Sequence, residues 1–245
     1  MARSFLIHSD PEALAEGAAN HVVRAAGGAI EDHGCFRWVL AGGKTPRHLY
    51  TLLASAAFRS RIAWEHVHVF WGDERHVPPD HPDSNYRMAR ETLLAPLAIP
   101  DHHVYRIPAE LPDAQAAADQ YEATIREAFG LSPPAIPCFD LVLLGMGQDG
   151  HTASLFPGSP ALQETRRLVL APWVEHLRAY RITLTPPAFN HAKHILFLVA
   201  GADKALTLQA VFNGPYRPDR FPCQLIRPLN GQVTWLVDQA AASCL

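Results

Sequence analysis

The stretch FRWVLAGGKTPRHLY (residues 36–50) passes from an apolar run through two glycines into a segment of helical character. Its GGKT resembles the end of an ATP-binding P-loop, but the first glycine of that motif would fall on Trp38. Pro46 also lacks a backbone N–H that could reach a phosphate. We therefore interpret the stretch as strand, glycine turn and helix, with Thr45 as the N-cap and Pro46 as the first helical residue.

A glycine turn that leads into a helix attracts anions, because its backbone N–H groups are free and the helix dipole is positive there. The sequence places four residues in this turn: Gly42, Gly43, Lys44 and Thr45. We predict that they contact an anionic ligand other than ATP.

The same alternation of strand and helix continues along most of the chain. Strand-like apolar runs occupy residues 5–9, 36–41, 67–72, 104–108, 139–146, 168–174, 181–185, 194–201 and 233–238. Helical segments are expected up to about residue 31 and near 46–57, 84–95, 113–129 and 202–212. This order is typical of a mostly parallel sheet covered on both faces. With no break in composition, the sequence predicts one three-layer αβα, Rossmann-like domain spanning residues 1–245.

Composition narrows the class of protein. The formal net charge is −3 and no dense Lys/Arg run occurs, which argues against a nucleic-acid partner. The longest apolar runs are far shorter than a membrane span, and the first residues lack the apolar region of a signal peptide. The four cysteines are scattered without a CxxC motif, as expected of reduced thiols. We therefore predict a cytoplasmic protein with no membrane partner.

Three polar stretches directly follow strands: GGKTP (42–46), GDER (72–75) and GMGQDGH (145–151). In open α/β sheets ligands bind beyond the carboxyl ends of the strands, so these stretches should converge on one cleft. The third has three glycines within six residues, which allow a sharp turn and close approach to a ligand.

His151 ends that glycine turn, and imidazole is the side chain best suited to accept a proton near neutral pH. Asp149 could fix its tautomer and support the charge that it gains. The alternative is a loop histidine beside a turn-forming aspartate. No spacing among the 14 histidines matches a metal motif, so we predict no metal.

Cations near strand ends suit an anionic substrate. Asp73 and Arg75 lie at one strand end, and an arginine there can form a fork of hydrogen bonds to phosphate oxygens. Arg181 and Lys204 lie near two others. All could instead be surface charges. Ser84 and Asn85 could either cap the next helix or contact substrate.

Five pieces of the chain, in this order, resemble the 6-phosphogluconolactonases: AGGKTP (41–46), FWGDERHVPPDHPDSNYRMA (70–89), DLVLLGMGQDGHTASLFPG (140–158), RITLT (181–185) and GADKA (201–205). The wider superfamily includes glucosamine-6-phosphate deaminase. The resemblance implies a Rossmann-like domain without metal or organic cofactor. It also implies hydrolysis of 6-phospho-D-glucono-1,5-lactone in the oxidative pentose phosphate pathway, and possible association with glucose-6-phosphate dehydrogenase.

Carried over by motif, the resemblance makes His151 the general base for water. It makes Arg75, Arg181 and Lys204 the residues that hold substrate, above all its phosphate. Deaminases of the superfamily have an acid five residues beyond the histidine, where this chain has Phe156, and DEY in place of DER. Two alternatives are a deaminase-like enzyme and a non-catalytic sugar-phosphate sensor, for which no additional module is apparent.

Overall fold

The computed structural model describes residues 3–245, and its centre is a six-stranded parallel sheet. The strand order is β1-β10-β9-β5-β2-β3, with every neighbouring pair parallel. The strands of this sheet are β1 (Arg3–His8), β2 (Phe36–Leu40), β3 (Val67–Trp71), β5 (Leu141–Leu144), β9 (His194–Val199) and β10 (Gln232–Asp238). The central strands are buried on both faces, which explains their nearly continuous apolar sequences.

Helices cover both faces of this sheet. They are α1 (Pro11–His33), α2 (Lys44–Leu53), α3 (Asn85–Ala89), α4 (Ala114–Phe129), α5 (Pro186–Asn190) and α6 (Ala205–Asn213). Trp38 of β2 packs on Tyr50 of α2, with ring centroids 5.9 Å apart. Phe70, whose register partner is the next β2 residue and so faces the other side, packs on Phe129 of α4. The predicted three-layer αβα fold is confirmed. None of the helices within residues 3–245 combines the length and apolarity needed to cross a membrane.

The ends of α1 follow from its sequence. The Asp10 carboxylate accepts a hydrogen bond from Ala13 N at 2.8 Å, and Pro11 takes the first helical position. At the other end Gly34, with φ of 81°, donates its N–H to the Ile30 carbonyl. These are the N-cap and C-cap that the residue types predict.

The predicted cap of α2 was wrong by two residues. The helix begins at Lys44, and Gly43, with φ of 102°, is the N-cap. The Gly43 carbonyl accepts the first helical hydrogen bond, from Arg47 N at 3.1 Å. Thr45 therefore lies inside the first turn and makes no cap. A backbone with this positive φ favours glycine over threonine, which decides the position.

Part of the predicted parallel sheet belongs to a second, antiparallel sheet. Four short strands form it, in which β8 pairs with each of the others: β4 (Asp73–Arg75), β6 (Val169–Leu170), β7 (Trp173–Val174) and β8 (Ala179–Leu184). The run at 104–108 forms no strand, only a single bridge from Val104 to Val69. A short apolar run indicates that a segment is buried, but it shows neither the direction of a strand nor whether a strand forms. Both differences from the prediction have this cause.

The sheet itself determines where a ligand can bind. From the centre, the chain proceeds to one edge through β2 and β3, and toward the other edge through β5, β9 and β10. Strands β2 and β5 are neighbours, with Trp38 aligned to Leu141, so the topological switch point lies between them. The loops after β2, β3, β5 and β9 consequently meet beyond one end of the sheet.

A histidine cluster on edge strand β3 predicts acid lability. His68 stacks on His103 at 3.9 Å, and burial, followed by the charges of His103, Arg37, His102 and His66, lowers the pKa of His68 to about 4. Because the unfolded chain then binds the proton more tightly, His68 adds stability above about pH 6.5 that is lost as pH falls toward 4.

The variant His68→Gln removes this titration. Between pH 7.5 and 5 we expect the parent to lose roughly 1–2 kcal/mol more unfolding free energy than the variant, after screening of a partly exposed ring. Urea unfolding at both pH values measures this. His48→Gln, in α2 and outside the cluster, is the control. Equal losses in all three proteins would contradict the prediction.

Candidate active site

A cleft opens at the carboxyl ends of the central strands, in two adjoining compartments. The inner one, of about 300 Å³, is lined by residues of the three polar stretches that follow strands. Its lining includes Gly42, Gly43, Asp73, Arg75, Asn85, Gly147, His151 and Lys204. The outer one, of about 510 Å³, is lined by Asp73, Arg75, Asp149, His151, Phe156, His176, Arg181 and Lys204, among others. Residues predicted from distant motifs are thus brought together.

The turn after β5 is built around its glycines. Gly147 N donates to the His151 carbonyl at 2.9 Å, and Gly150 N to the Gly147 carbonyl at 3.0 Å. A Cβ on Gly147 would lie 2.1 Å from His151 Nδ1 and 2.6 Å from Asp149 Oδ1. Gly150 has φ of 80° and lies against Phe221. The turn therefore requires glycine at both positions.

His151 and Asp149 form a hydrogen-bonded pair. Nδ1 of His151 lies 2.5 Å from Asp149 Oδ1, which also accepts the His151 backbone N–H at 3.1 Å. Burial acts to raise the pKa of Asp149, but the hydrogen bond and charge of His151 outweigh it and hold that pKa below its usual value. An ionised Asp149 keeps the proton on Nδ1, so Nε2 is the nitrogen that can accept a proton.

Two aromatic side chains, which the sequence did not identify as site residues, support this imidazole. The ring of Phe156 lies 4.3 Å from that of His151, and the ring of His176 packs edge-on against Phe156 with centroids 5.3 Å apart. Phe156 is only 8% exposed, whereas His176 is exposed on the β7–β8 hairpin. One side of the His151 ring is therefore shielded by an apolar group.

Arg75 and Arg181 face each other across the antiparallel pair of β4 and β8. Arg75 Nη1 donates to the Asp83 carbonyl at 2.5 Å, and Arg181 Nη1 to the Tyr180 carbonyl at 3.3 Å. Burial, followed by the charge of Arg75, lowers the pKa of Arg181. Within residues 3–245 neither guanidinium forms an ion pair with a carboxylate. Like charges placed opposite each other are unfavourable unless an anion joins them.

Glu74, between two lining residues, has a structural role. It is 2% exposed, and its carboxylate accepts hydrogen bonds from Ser84 Oγ and from the backbone N–H groups of Arg75, Asn85 and Tyr86. Burial raises its pKa, against the lowering effect of these four donors. These hydrogen bonds of Glu74 connect β4 to the start of α3.

Ser84 and Asn85 have different roles. Ser84 caps α3, accepting from Arg87 N at 3.1 Å. Asn85 lines the inner compartment, where its Nδ2 donates to the Asp73 carbonyl at 2.9 Å. A Cβ on Gly42 would lie 1.9 Å from Asn85 Oδ1, so that glycine allows the two loops to approach. The Asp73 carboxylate accepts from Ser154 Oγ at 2.7 Å, which orients it in the cleft.

Lys204 lines both compartments and is held by Asp203. Its Nζ lies 3.0 Å from Asp203 Oδ2, which also accepts from Gln148 Nε2 at 2.7 Å. Lys44 and Thr45 line a further compartment, which shares Gly42, Gly43 and Lys204 with the inner one but is not lined by His151. The structure therefore does not bring Lys44 and Thr45 to the imidazole.

Among residues 3–245, no three His, Cys, Asp or Glu side chains are arranged so that they could hold a metal ion. The four cysteines are free, and Cys223 is buried beneath the glycine turn, where its Sγ donates to the His151 carbonyl at 3.5 Å. Burial raises the pKa of Cys223 well above its usual value, so it is neutral there.

Comparison with known proteins gives one family. A family model described as glucosamine-6-phosphate isomerases/6-phosphogluconolactonase matches residues 9–235. The 6-phosphogluconolactonase of Synechocystis sp. is 42% identical over 217 residues, which is 89% of this chain and 88% of that protein. The 6-phosphogluconolactonase of Nostoc sp. is 37% identical over 243 residues, covering 99% and 98%.

Solved structures agree. The 6-phosphogluconolactonase from Trypanosoma cruzi superimposes with a TM-score of 0.87 at 30% identity, covering 100% of this chain and 97% of that one. A monomeric glucosamine-6-phosphate deaminase has a TM-score of 0.81 at 21% identity, with 99% and 100% covered, and shares the fold. The chain belongs to the glucosamine-6-phosphate isomerase/6-phosphogluconolactonase family.

Proposed function

We propose that this chain hydrolyses 6-phospho-D-glucono-1,5-lactone to 6-phospho-D-gluconate, with His151 as the general base that activates water. One observation carries the proposal: an imidazole–carboxylate pair lines the same cleft as Arg75 and Arg181, which lie opposite each other on paired strands. The imidazole can accept a proton, and the two arginines can bind a phosphate dianion.

A lactone is an activated ester, so direct attack by water is sufficient. Nε2 of His151 takes a proton as the water oxygen bonds to C1 and the carbonyl electron pair moves to the oxygen. When the tetrahedral intermediate collapses, the bond from C1 to the ring oxygen breaks and the imidazolium returns the proton to that oxygen. Asp149 stabilises the imidazolium while it exists. Glycine-turn N–H groups near the cleft can stabilise the oxyanion.

The phosphate contributes by fixing the reacting carbon over the water. Arg75 and Arg181 are paired across two strands, and Lys204 reaches both compartments, so the three can surround one phosphate. Binding energy from a group remote from C1 is what orients the lactone. Gluconolactone without phosphate should therefore be a poor substrate.

We infer a lactonase rather than a deaminase from the position five residues beyond His151. Deaminases of this superfamily carry an acid there, but this chain has Phe156, which packs on the imidazole. A phenyl ring can neither donate nor accept the proton that opening of an amino-sugar ring needs. The arginine of DER, in place of a tyrosine, supports the same reaction class.

Gly147→Ala tests the geometry of the base. Because the new Cβ would collide with His151 Nδ1, we expect kcat to fall by about 10²-fold through misplacement of the imidazole. Gly145→Ala in the same turn is the control, since the nearest atom to its Cβ would be 4.0 Å away. Steady-state hydrolysis of fresh lactone measures both variants, and similar rates for the two would contradict this account of the turn.

The function itself is tested by three assays on purified protein. Acid release from freshly generated 6-phosphogluconolactone, above the uncatalysed background, is the expected result. Ammonia release from glucosamine 6-phosphate would indicate the deaminase instead. Saturable binding of 6-phosphogluconate without turnover of either substrate would indicate a sensor. Location in the cytoplasm and association with glucose-6-phosphate dehydrogenase remain predictions, to be tested by fractionation and co-purification.

A further inference from the structure

A second cavity, of about 390 Å³, lies at the opposite end of the parallel sheet from the cleft. It separates one face of α1 from the first residues of β5, β9 and β10. The helix contributes small side chains there, Ala25, Gly28 and Ala29, while Leu141 and Leu196 are among the residues on the sheet side. Its floor is therefore apolar, and its volume lies within the range of small-molecule sites.

Gly28 keeps this cavity open. Glycine in a helix interior costs about 1 kcal/mol relative to alanine. A Cβ on Gly28 would meet no atom within 4 Å, so close packing does not require glycine at this position. Because Gly28 lines the cavity, a larger apolar side chain at this position would extend into the open volume.

Three basic side chains lie together at the cavity. His21, Arg24 and His194 line it together, and within residues 3–245 Arg24 forms no ion pair. Burial, followed by the charges of Arg24 and His194, lowers the pKa of His21. The neutral ring of His21 is thus favoured, and it can still donate a hydrogen bond.

The two carboxylates of the cavity are already engaged. Lys193 Nζ lies 3.1 Å from Asp140 Oδ1 and 3.5 Å from Asp32 Oδ2, and His33 Nε2 lies 2.9 Å from Asp140 Oδ1. Both acids are therefore engaged by neighbouring side chains, and among residues 3–245 neither forms an ion pair with Arg24. An apolar floor beside an unpaired guanidinium suits a ligand with an apolar body and one anionic group.

We propose that this cavity is a second binding site, for a small amphiphilic monoanion such as an aromatic carboxylate or sulfonate. The apolar body lies over Ala25, Gly28 and Ala29, and the anionic group meets Arg24 and His21. The site is independent of the phosphate-binding cleft, because the two lie at opposite ends of the sheet.

The first test uses 8-anilinonaphthalene-1-sulfonate, whose fluorescence rises on binding. We expect saturable binding at one site per chain. Gly28→Leu should weaken binding at least about tenfold by filling the cavity. Gly27→Leu is the matched control, since Gly27 is on the same helix with equal free space but does not line the cavity. Equal affinity of both variants, each folded by circular dichroism, would overturn the proposal.

The second test separates charge from apolar contact. Arg24→Gln should weaken the sulfonate probe about tenfold but leave the neutral analogue N-phenyl-1-naphthylamine within about twofold. Saturating 6-phosphogluconate should displace neither probe. Three results would overturn the proposal by placing the probe elsewhere. They are weaker binding of both probes in Arg24→Gln, an unchanged affinity of that variant for the sulfonate probe, and displacement of either probe by 6-phosphogluconate.

Discussion

Replacement of Arg75 and Arg181 together by glutamine is expected to weaken 6-phosphogluconate binding by about 10²–10⁴-fold. Each lost charged hydrogen bond costs about 1.5–3 kcal/mol, and we propose that the two guanidiniums bind one phosphate. The two arginines lie directly opposite each other, so we expect each to bind its own phosphate oxygens and neither to compensate for loss of the other. By the same reasoning, Lys204→Ala should reduce the binding free energy of 6-phosphogluconate by roughly 1.5–3 kcal/mol.

Isothermal titration calorimetry at low ionic strength measures this effect. Arg178→Gln, on the β7–β8 hairpin but outside the cleft, makes the same change of charge per residue and is the control. Without ligand, the double variant should unfold at the same temperature as the parent or higher, because a like-charge pair has been removed. An unchanged affinity in a folded double variant would refute the phosphate site.

His151→Asn is expected to lower kcat by about 10²–10⁴-fold, the usual contribution of a general base. Asparagine preserves a polar side chain of similar reach but cannot accept the proton of water. Affinity for 6-phosphogluconate should stay within a few-fold, because the base acts in the transition state and the phosphate contacts are elsewhere in the cleft. The pattern of reduced kcat with preserved product binding distinguishes catalysis from a binding role.

Asp149→Asn should reduce kcat less than His151→Asn. The imidazole remains, packed on Phe156, but it loses the carboxylate that fixes its tautomer and supports its charge. The lowered pKa of Asp149 means that the wild-type carboxylate is ionised throughout the neutral range. A variant as inactive as His151→Asn would instead assign Asp149 a direct part in proton transfer.

The parallel sheet could be predicted because its signals are local. Runs such as LVLL of β5 and HILFLV of β9 are apolar on both faces, and capping residues such as Asp10 and Gly34 bound the helices between them. Ligands of open α/β sheets bind beyond the carboxyl ends of the strands. This rule places the loops after β2, β3 and β5 in one cleft without any knowledge of side-chain geometry.

The second sheet could not be predicted in this way. The pairing of Arg75 with Arg181 depends on a contact between segments far apart in the chain, and an apolar run such as RITLT does not reveal its direction. Similarly, the N-cap of α2 is decided by a positive φ at Gly43, which outweighs the preference of Thr45 for that role.

In the candidate site, too, local features could be predicted from the sequence and tertiary contacts could not. Glycine spacing and the motif DGH pointed to His151 and Asp149, which the structure joins. The contact of Phe156 with the imidazole and the orientation of Asp73 by Ser154 are tertiary and had no signal in the order of residues. Lys44 was included because it follows Gly42 and Gly43; it is the first residue of α2 and lines a compartment next to the inner one, so its contact with substrate stays a prediction.

The most direct test of the central claim is the background-subtracted hydrolysis rate of purified His151→Asn on fresh 6-phosphogluconolactone at neutral pH. Circular dichroism and 6-phosphogluconate binding establish that the variant is folded with its cleft intact. We expect the parent enzyme to hydrolyse the lactone and the variant to be slower by about 10²–10⁴-fold. A variant rate close to that of the parent would contradict it and leave His151 as a structural residue of the turn.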